Sequence, residues 1–186
     1  MNICHLPDNI LEKIFSEIDY YEVPNLTLVC KRFNDVIGSS SQLMKNLVIF
    51  WKKNITKKAD LKLLLSSNRK YQIISIKEVV GIEQNLQNVY TKYANSLTEV
   101  QFFDCSFKSS ELSATLKILQ ENLREIGMCK VNFEIDSIMK PIGFKKLEDM
   151  NMMYFSSNGF CKIFNLFIDC KSLKSLRCED DCEISF

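Results

Sequence analysis

Five short runs in this chain repeat one pattern at nearly constant spacing, and that repetition narrows the possible folds more than any other feature. They begin at Tyr71, Leu97, Leu123, Leu147 and Leu173, separated by 26, 26, 24 and 26 residues. Each reads apolar-x-x-apolar-x-apolar: Tyr71/Ile74/Ile76, Leu97/Val100/Phe102, Leu123/Ile126/Met128, Leu147/Met150/Met152 and Leu173/Leu176/Cys178. Alternation of this kind marks a strand with one buried face. A unit this short cannot bury an apolar face by itself, so neighbouring units must stack to share one core.

The intervening segments fit the same plan. Ile82, Leu86, Val89, Tyr90 and Tyr93 recur on one helical face, and Ser109-Ser110-Glu111 opens a helix carrying Leu112, Leu116 and Leu119. Phe160, Ile163, Phe164 and Phe167 form another such face. The link from Asp136 to Pro141 is shorter, and Pro141 ends any helix there. Leu47 to Lys52 predicts a sixth, atypical strand, with Lys52 where the template wants an apolar residue and Trp51 packing at a junction. A linker helix is expected within Asp60 to Ser66.

Period and template together resemble the leucine-rich repeat. In the cysteine-containing version of that repeat a Cys or Asn stands eight residues after the first Leu. Only Cys105 matches; Val79, Val131, Phe155 and Asp181 hold the equivalent places, so the repeats are degenerate. The last strand has only Glu179 to Phe186 after it. Either that acidic tail covers it, or the chain belongs to a longer protein.

The stretch before the repeats is helical. Pro7 suits a first turn, and Asp8 and Asn9 favour the positively polarised helix end. Ile10, Leu11, Ile14, Phe15 and Ile18 follow at helical spacing. A second helix is predicted from Pro24, carrying Leu26, Val29, Cys30, Phe33, Val36 and Ile37 up to Gly38, and a last short turn carries Leu43 and Met44. Its apolar residues occupy more than one face, which suits a docking module. Leu6-Pro7-x-x-Ile10-Leu11-x-x-Ile14-Phe15 followed by Leu28-Val29-Cys30-Lys31-Arg32-Phe33 resembles an F-box. Asn9 for the common Glu, Phe33 for Trp and Leu43-Met44 for Leu-Trp are the departures.

The two resemblances imply an α/β chain: an N-terminal three-helix F-box over 1–46, then a leucine-rich-repeat solenoid over 47–186. Its curved parallel sheet would lie inside and its helices outside. They imply a substrate receptor of an SCF-type ubiquitin ligase, bound to a Skp-type adaptor and through it to cullin and RING subunits. Carried over residue by residue, the adaptor contacts fall on Leu6, Pro7, Ile10, Leu11, Leu28, Val29, Cys30 and Lys31. Ile14, Phe15 and Phe33 are divided between partner and core in a way the residues leave open. A scaffold built on the same repeats but working outside a ligase is the alternative reading.

Composition excludes several other classes. A net charge of +1 implies no nucleic-acid or membrane field. The first residues form no signal peptide, and no run approaches the ~20 apolar residues of a membrane span. A cytoplasmic or nuclear protein is therefore expected, its eight cysteines reduced. No CxxC pair occurs and His5 is the only histidine, which argues against zinc. That histidine lies in the N-terminal tail, far from a role as base to a nucleophilic cysteine, so neither catalysis nor a cofactor is expected.

Residues between the apolar strand positions must point to the opposite face of the sheet. Stacked, they form three columns: Ile73, Glu99, Glu125, Asp149, Ser175; Ser75, Gln101, Gly127, Asn151, Arg177; and Lys77, Phe103, Cys129, Met153, Glu179. Three carboxylates in succession, about 4.8 Å apart, repel by roughly 1 kcal/mol in water and about 3 at an effective dielectric near 20. Arg124 and Lys174 are the nearest sequence candidates to offset them. A substrate segment with Lys or Arg beside an apolar side chain is thus expected at Glu99, Gln101, Phe103, Glu125, Asp149, Asn151, Met153 and Arg177.

Overall fold

The computed structural model describes residues 3–19, 22–45, 47–52, 58–154 and 163–179. The N-terminal part holds a 3-10 turn, Ile3–His5, and four helices: α1 Asp8–Ser16, α2 Val23–Leu26, α3 Lys31–Ser39 and α4 Ser41–Met44. Pro7 stands just outside α1, where a missing N–H costs nothing. Its carbonyl accepts the N–H groups of Ile10 and Leu11 at 3.0 Å.

The second predicted helix is in fact broken. Thr27 to Val29 form a turn, and Cys30 is fully extended at φ −159°, ψ 163°. Thr27 turns its hydroxyl onto the Pro24 carbonyl at 2.7 Å, and β-branched Thr27 and Val29 are poor helix formers. The break lets α3 fold back, so that Phe33, Val36 and Ile37 bury against Leu11, Phe15, Leu43, Met44 and Leu47. The Phe15 and Phe33 rings meet edge to face at 4.8 Å. Ser40 caps α4 by accepting the Leu43 N–H at 3.1 Å.

The rest is α/β. Six strands form one parallel sheet in the order β1 Val48–Lys52, β2 Ile73–Lys77, β3 Glu99–Phe103, β5 Glu125–Cys129, β7 Asp149–Met153 and β8 Ser175–Glu179. Beside it, β4 Ser106–Lys108 and β6 Asn132–Glu134 pair in a second, two-stranded sheet. Helices α5 Lys58–Ser66, α6 Gln84–Tyr93 and α7 Ser109–Leu119 separate successive strands. No helix forms in 135–148, where Ile142 and Phe144 fill the core instead and Phe144 stacks on Phe167 at 5.5 Å. Phe160 and Phe155 lie outside the described residues; Ile163 and Phe167 are buried.

One face of the sheet carries the core. Val100, Phe102, Ile126, Met128, Met150 and Met152 are buried there with Leu86, Val89 and Tyr90 of α6 and Leu112, Leu116 and Leu119 of α7. This cluster is separate from the helical one, and Tyr71 touches both.

At β1 the sequence template is displaced by one residue. Ile49 and Trp51 stand beside Ile74 and Ile76 and are buried, so Phe50 and Lys52 point to the opposite face. Side chains alternate along a strand, so a slip of one residue exchanges the two faces. Phe50 is accordingly 78% exposed, and Lys52 pairs with Glu78 at 2.7 Å.

Each inner strand ends at a left-handed corner. Glu78, Asp104, Lys130 and Tyr154 have φ of 56°, 51°, 53° and 59°. From that corner the N–H reaches the last carbonyl of the following strand: Phe103, Cys129, Met153 and Glu179 in turn, at 2.7–3.1 Å. The gain of a bond to an otherwise unpaired amide offsets a conformation that costs roughly 1–2 kcal/mol outside glycine. Asp136 holds the start of α7: it accepts the Ser110 N–H and the Ser109 hydroxyl, each at 2.9 Å. The Ser110 hydroxyl and N–H draw its carboxyl down to about 2.

Candidate functional site

Two surfaces stand out, one on each part. On the helical part, Arg32 ties the first segment to α3. Its guanidinium donates to the carbonyls of Cys4 and Leu6 and to Asp8 Oδ1, the last at 2.9 Å. Leu6-Pro7 is thereby held beside Cys30-Lys31 although 24 residues separate Asp8 from Arg32. The Cys4 and Cys30 thiols hydrogen-bond one another, and burial first, then that contact, pushes the Cys4 thiol up.

The expected adaptor positions divide cleanly. Pro7, Ile10, Leu28, Val29 and Lys31 are exposed, with Leu28 at 83% and Val29 at 62%, while Leu6 and Cys30 are half-buried. Leu11 is a correction: it is fully buried among Phe15, Phe33 and Leu43 and offers a partner no surface. Its position on α1, one residue from exposed Ile10, sends it inward because adjacent helical residues point about a quarter-turn apart. Phe15 and Phe33 are likewise core, and Ile14 is half-buried.

The second surface is the uncovered face of the sheet. The expected columns are present in register, and β1 extends them: Val48 leads the Glu99–Glu125–Asp149 column, Phe50 the Gln101–Gly127–Asn151–Arg177 column, and Lys52 the Phe103–Cys129–Met153 column. Gln101 donates its amide to Glu99. Glu125, Asp149, Asn151, Ser175 and Arg177 line a hollow of about 260 Å³. Burial, then the carboxylates of Glu99 and Asp149, raise Glu125, and Arg177 pulls it the other way. The offsetting cation is thus Arg177. Lys174 is occupied by Glu148 at 3.0 Å, and Arg124 lines a separate hollow beside Glu99. Phe103 and Met153 are half-buried along the other end of the strands.

A raised carboxyl in the fold binds its proton more tightly than in the unfolded chain. Its stabilising contribution is full below the ordinary glutamate range and is lost as pH rises through the raised folded value. At neutral pH the Glu125 charge is therefore a cost. Glu125→Gln should raise the melting temperature at pH 7 by about 2 °C or less, the small effect usual for surface changes. The difference should vanish at acid pH, where both side chains are neutral. The same effect of the substitution at both pH values would mean that the Glu125 charge carries no such cost.

Among the described residues, no group of three or more His, Cys, Asp or Glu side chains is placed to hold a metal ion. Nor is any described helix long and apolar enough to cross a membrane. Buried Cys105 donates its thiol to the Phe103 carbonyl at 3.2 Å, and burial raises it. That is the behaviour of a packed hydrophobe, not a nucleophile.

Sequence reasoning did not anticipate Arg32, Phe50 or the left-handed corners. None had a usable local signal: the run Leu47 to Trp51 is apolar throughout and fits either register.

A sequence model of the family described as F-box-like matches residues 3–49, covering α1 to α4 and reaching into β1. No curated protein sequence matches the chain. The chain therefore carries an F-box-like region at its N-terminal end, followed by an α/β part built on a parallel sheet.

Proposed function

We propose that this protein is a substrate receptor of an SCF-type ubiquitin ligase. The F-box-like region binds a Skp-type adaptor, and through it the cullin and RING subunits. The α/β part is a stack of degenerate leucine-rich repeats whose uncovered face binds the substrate protein. The chain performs no chemistry itself; holding a substrate near the ubiquitin-carrying enzyme raises its effective concentration there. It takes no cofactor and works in the cytoplasm or nucleus, feeding substrates to proteasomal degradation.

The observation that carries this reading is the F-box-like match over residues 3–49, with Leu28 and Val29 left exposed at positions the motif assigns to the adaptor. A scaffold working outside any ligase would fit if those helices were consumed by packing on the sheet. Their buried cluster is distinct from that of the sheet, with Tyr71 packed against both, and apolar side chains remain outside it. The test is direct: mixed with a purified Skp-type adaptor, the full chain should co-elute with it on gel filtration. Separate elution at micromolar concentrations overturns the reading.

The substrate face makes its own prediction. Changing Glu99, Glu125 and Asp149 together to their amides should weaken capture of a basic substrate segment and flatten its salt dependence. Adaptor co-elution should be unchanged. Substrates captured equally well by the triple variant would show that the carboxylates are merely solvated.

A further inference from the structure

The open edge of β1 lies in a groove of about 660 Å³ between the helical part and the sheet. Four consecutive strand residues, Val48 to Trp51, line it, so the groove runs along the strand backbone rather than across one face. The register shows which backbone groups are turned outward. Glu99, Glu125, Asp149 and Ser175 each donate their N–H, at 3.0 Å, to the carbonyl just ahead of the preceding strand: Gln72, Thr98, Arg124 and Glu148. Val48 occupies their place in β1, and Phe50 repeats it two residues on, but no described strand precedes β1. An exposed strand edge of this kind is a template for another extended chain.

The walls add two further features. Leu28 from the helical side and Leu63 from α5, 83% and 69% exposed, flank the edge together with Phe50. Arg69 is the single charged residue among the described residues lining the groove. It donates to the Asn34 side chain and to the Tyr71 hydroxyl, and its stem lies 3.6 Å from the Cβ position of Gly38 on α3. Among the described residues no carboxylate lies within ion-pair distance of it. A guanidinium held by neutral acceptors keeps its charge available for a ligand carboxylate.

We propose that this groove binds an extended segment of a partner protein that adds a strand to β1. The segment places an apolar side chain against Leu63 and Phe50 and a carboxylate on Arg69. The hydrogen-bonded edge supplies affinity, while the apolar walls and the guanidinium supply selectivity. About four residues at ~3.3 Å each match the length of edge exposed. This site is distinct from the acidic sheet face and would favour ligands of opposite charge. It stands whether or not the chain serves a ligase.

The probe is a displayed library of random eight-residue peptides, selected on the full chain. Enriched peptides should carry Asp or Glu close to an aliphatic or aromatic residue. For a synthetic copy of the best one, Leu63→Ser and Arg69→Gln should each weaken binding at least tenfold, read by fluorescence polarisation. N-methylation of its backbone should abolish binding at alternate positions only, the mark of a strand pairing along one edge. No enrichment, or binding that ignores both substitutions, overturns the proposal. So does sensitivity to N-methylation without alternation. If Arg69→Gln instead abolishes adaptor co-elution, the groove belongs to the adaptor. If the chain elutes as a dimer that Leu63→Ser dissolves, it belongs to a second copy. Either of those results also overturns it.

Discussion

Ile126→Ala should lower the free energy of unfolding by about 2–5 kcal/mol, measured by urea titration with an unchanged slope. Ile126 is fully buried on β5, between Val100 on β3 and Met150 on β7. It belongs to the continuous core that also takes in α6 and α7. Deleting its side chain removes buried methyl groups and leaves a hole that two hydrogen-bonded neighbouring strands hold open. The upper half of that range is expected for this reason. Met150 could swing partly into the space, since methionine is the most adaptable core residue, and would draw the value towards the lower end. A loss below ~1 kcal/mol would mean that the sheet and its helices are not packed as one core.

Leu28→Glu should reduce affinity for a Skp-type adaptor at least 30-fold, which corresponds to about 2 kcal/mol, while the melting temperature stays within experimental error. The side chain stands on a turn, 83% exposed, so the fold does not depend on it. A carboxylate in its place would have to be desolvated wherever a partner buries the leucine. Surface plasmon resonance with purified adaptor reads the effect. Leu11→Ala is the contrasting control: it should cost about 2–5 kcal/mol of stability because Leu11 is core. Unchanged adaptor affinity in Leu28→Glu would remove this turn from the contact surface.

The sheet was largely legible from the sequence because two independent periods agree there. Alternation within a strand and repetition of about 26 residues both assign Val100, Ile126 and Met150 to the core, and neither tolerates a slip. At β1 the agreement fails. Leu47 to Trp51 is apolar throughout, so alternation gives no phase, and the buried pair is Ile49 and Trp51 rather than one including Phe50. The break at Cys30 was hidden for a related reason. Leu26, Val29 and Phe33 keep helical spacing across a turn, and the chain reverses there through tertiary packing.

Polar contacts between distant residues were invisible. Nothing local marks Arg32 as the clamp on Cys4 and Leu6, or Arg69 as the bridge to Asn34. The acidic column was legible as a register of residues, but its offsetting cation was not. Arg177 acts on Glu125 across β7, whereas Lys174 is drawn aside by Glu148. The left-handed corners carry Glu, Asp, Lys and Tyr, where a glycine would have announced them.

Those corners give the stack a direction. Each hands its amide forward, Glu78 to Phe103, Asp104 to Cys129, Lys130 to Met153 and Tyr154 to Glu179, so every corner is completed by the unit that follows it. Cutting the chain back from its C-terminal side therefore strands a donor in a twisted backbone conformation that nothing then rewards. Cutting from the N-terminal side strands none of these donors. At the strand starts the traffic runs the other way, Glu99, Glu125, Asp149 and Ser175 handing their amides back to the unit before, so each end of the sheet leaves a different set of bonds half made.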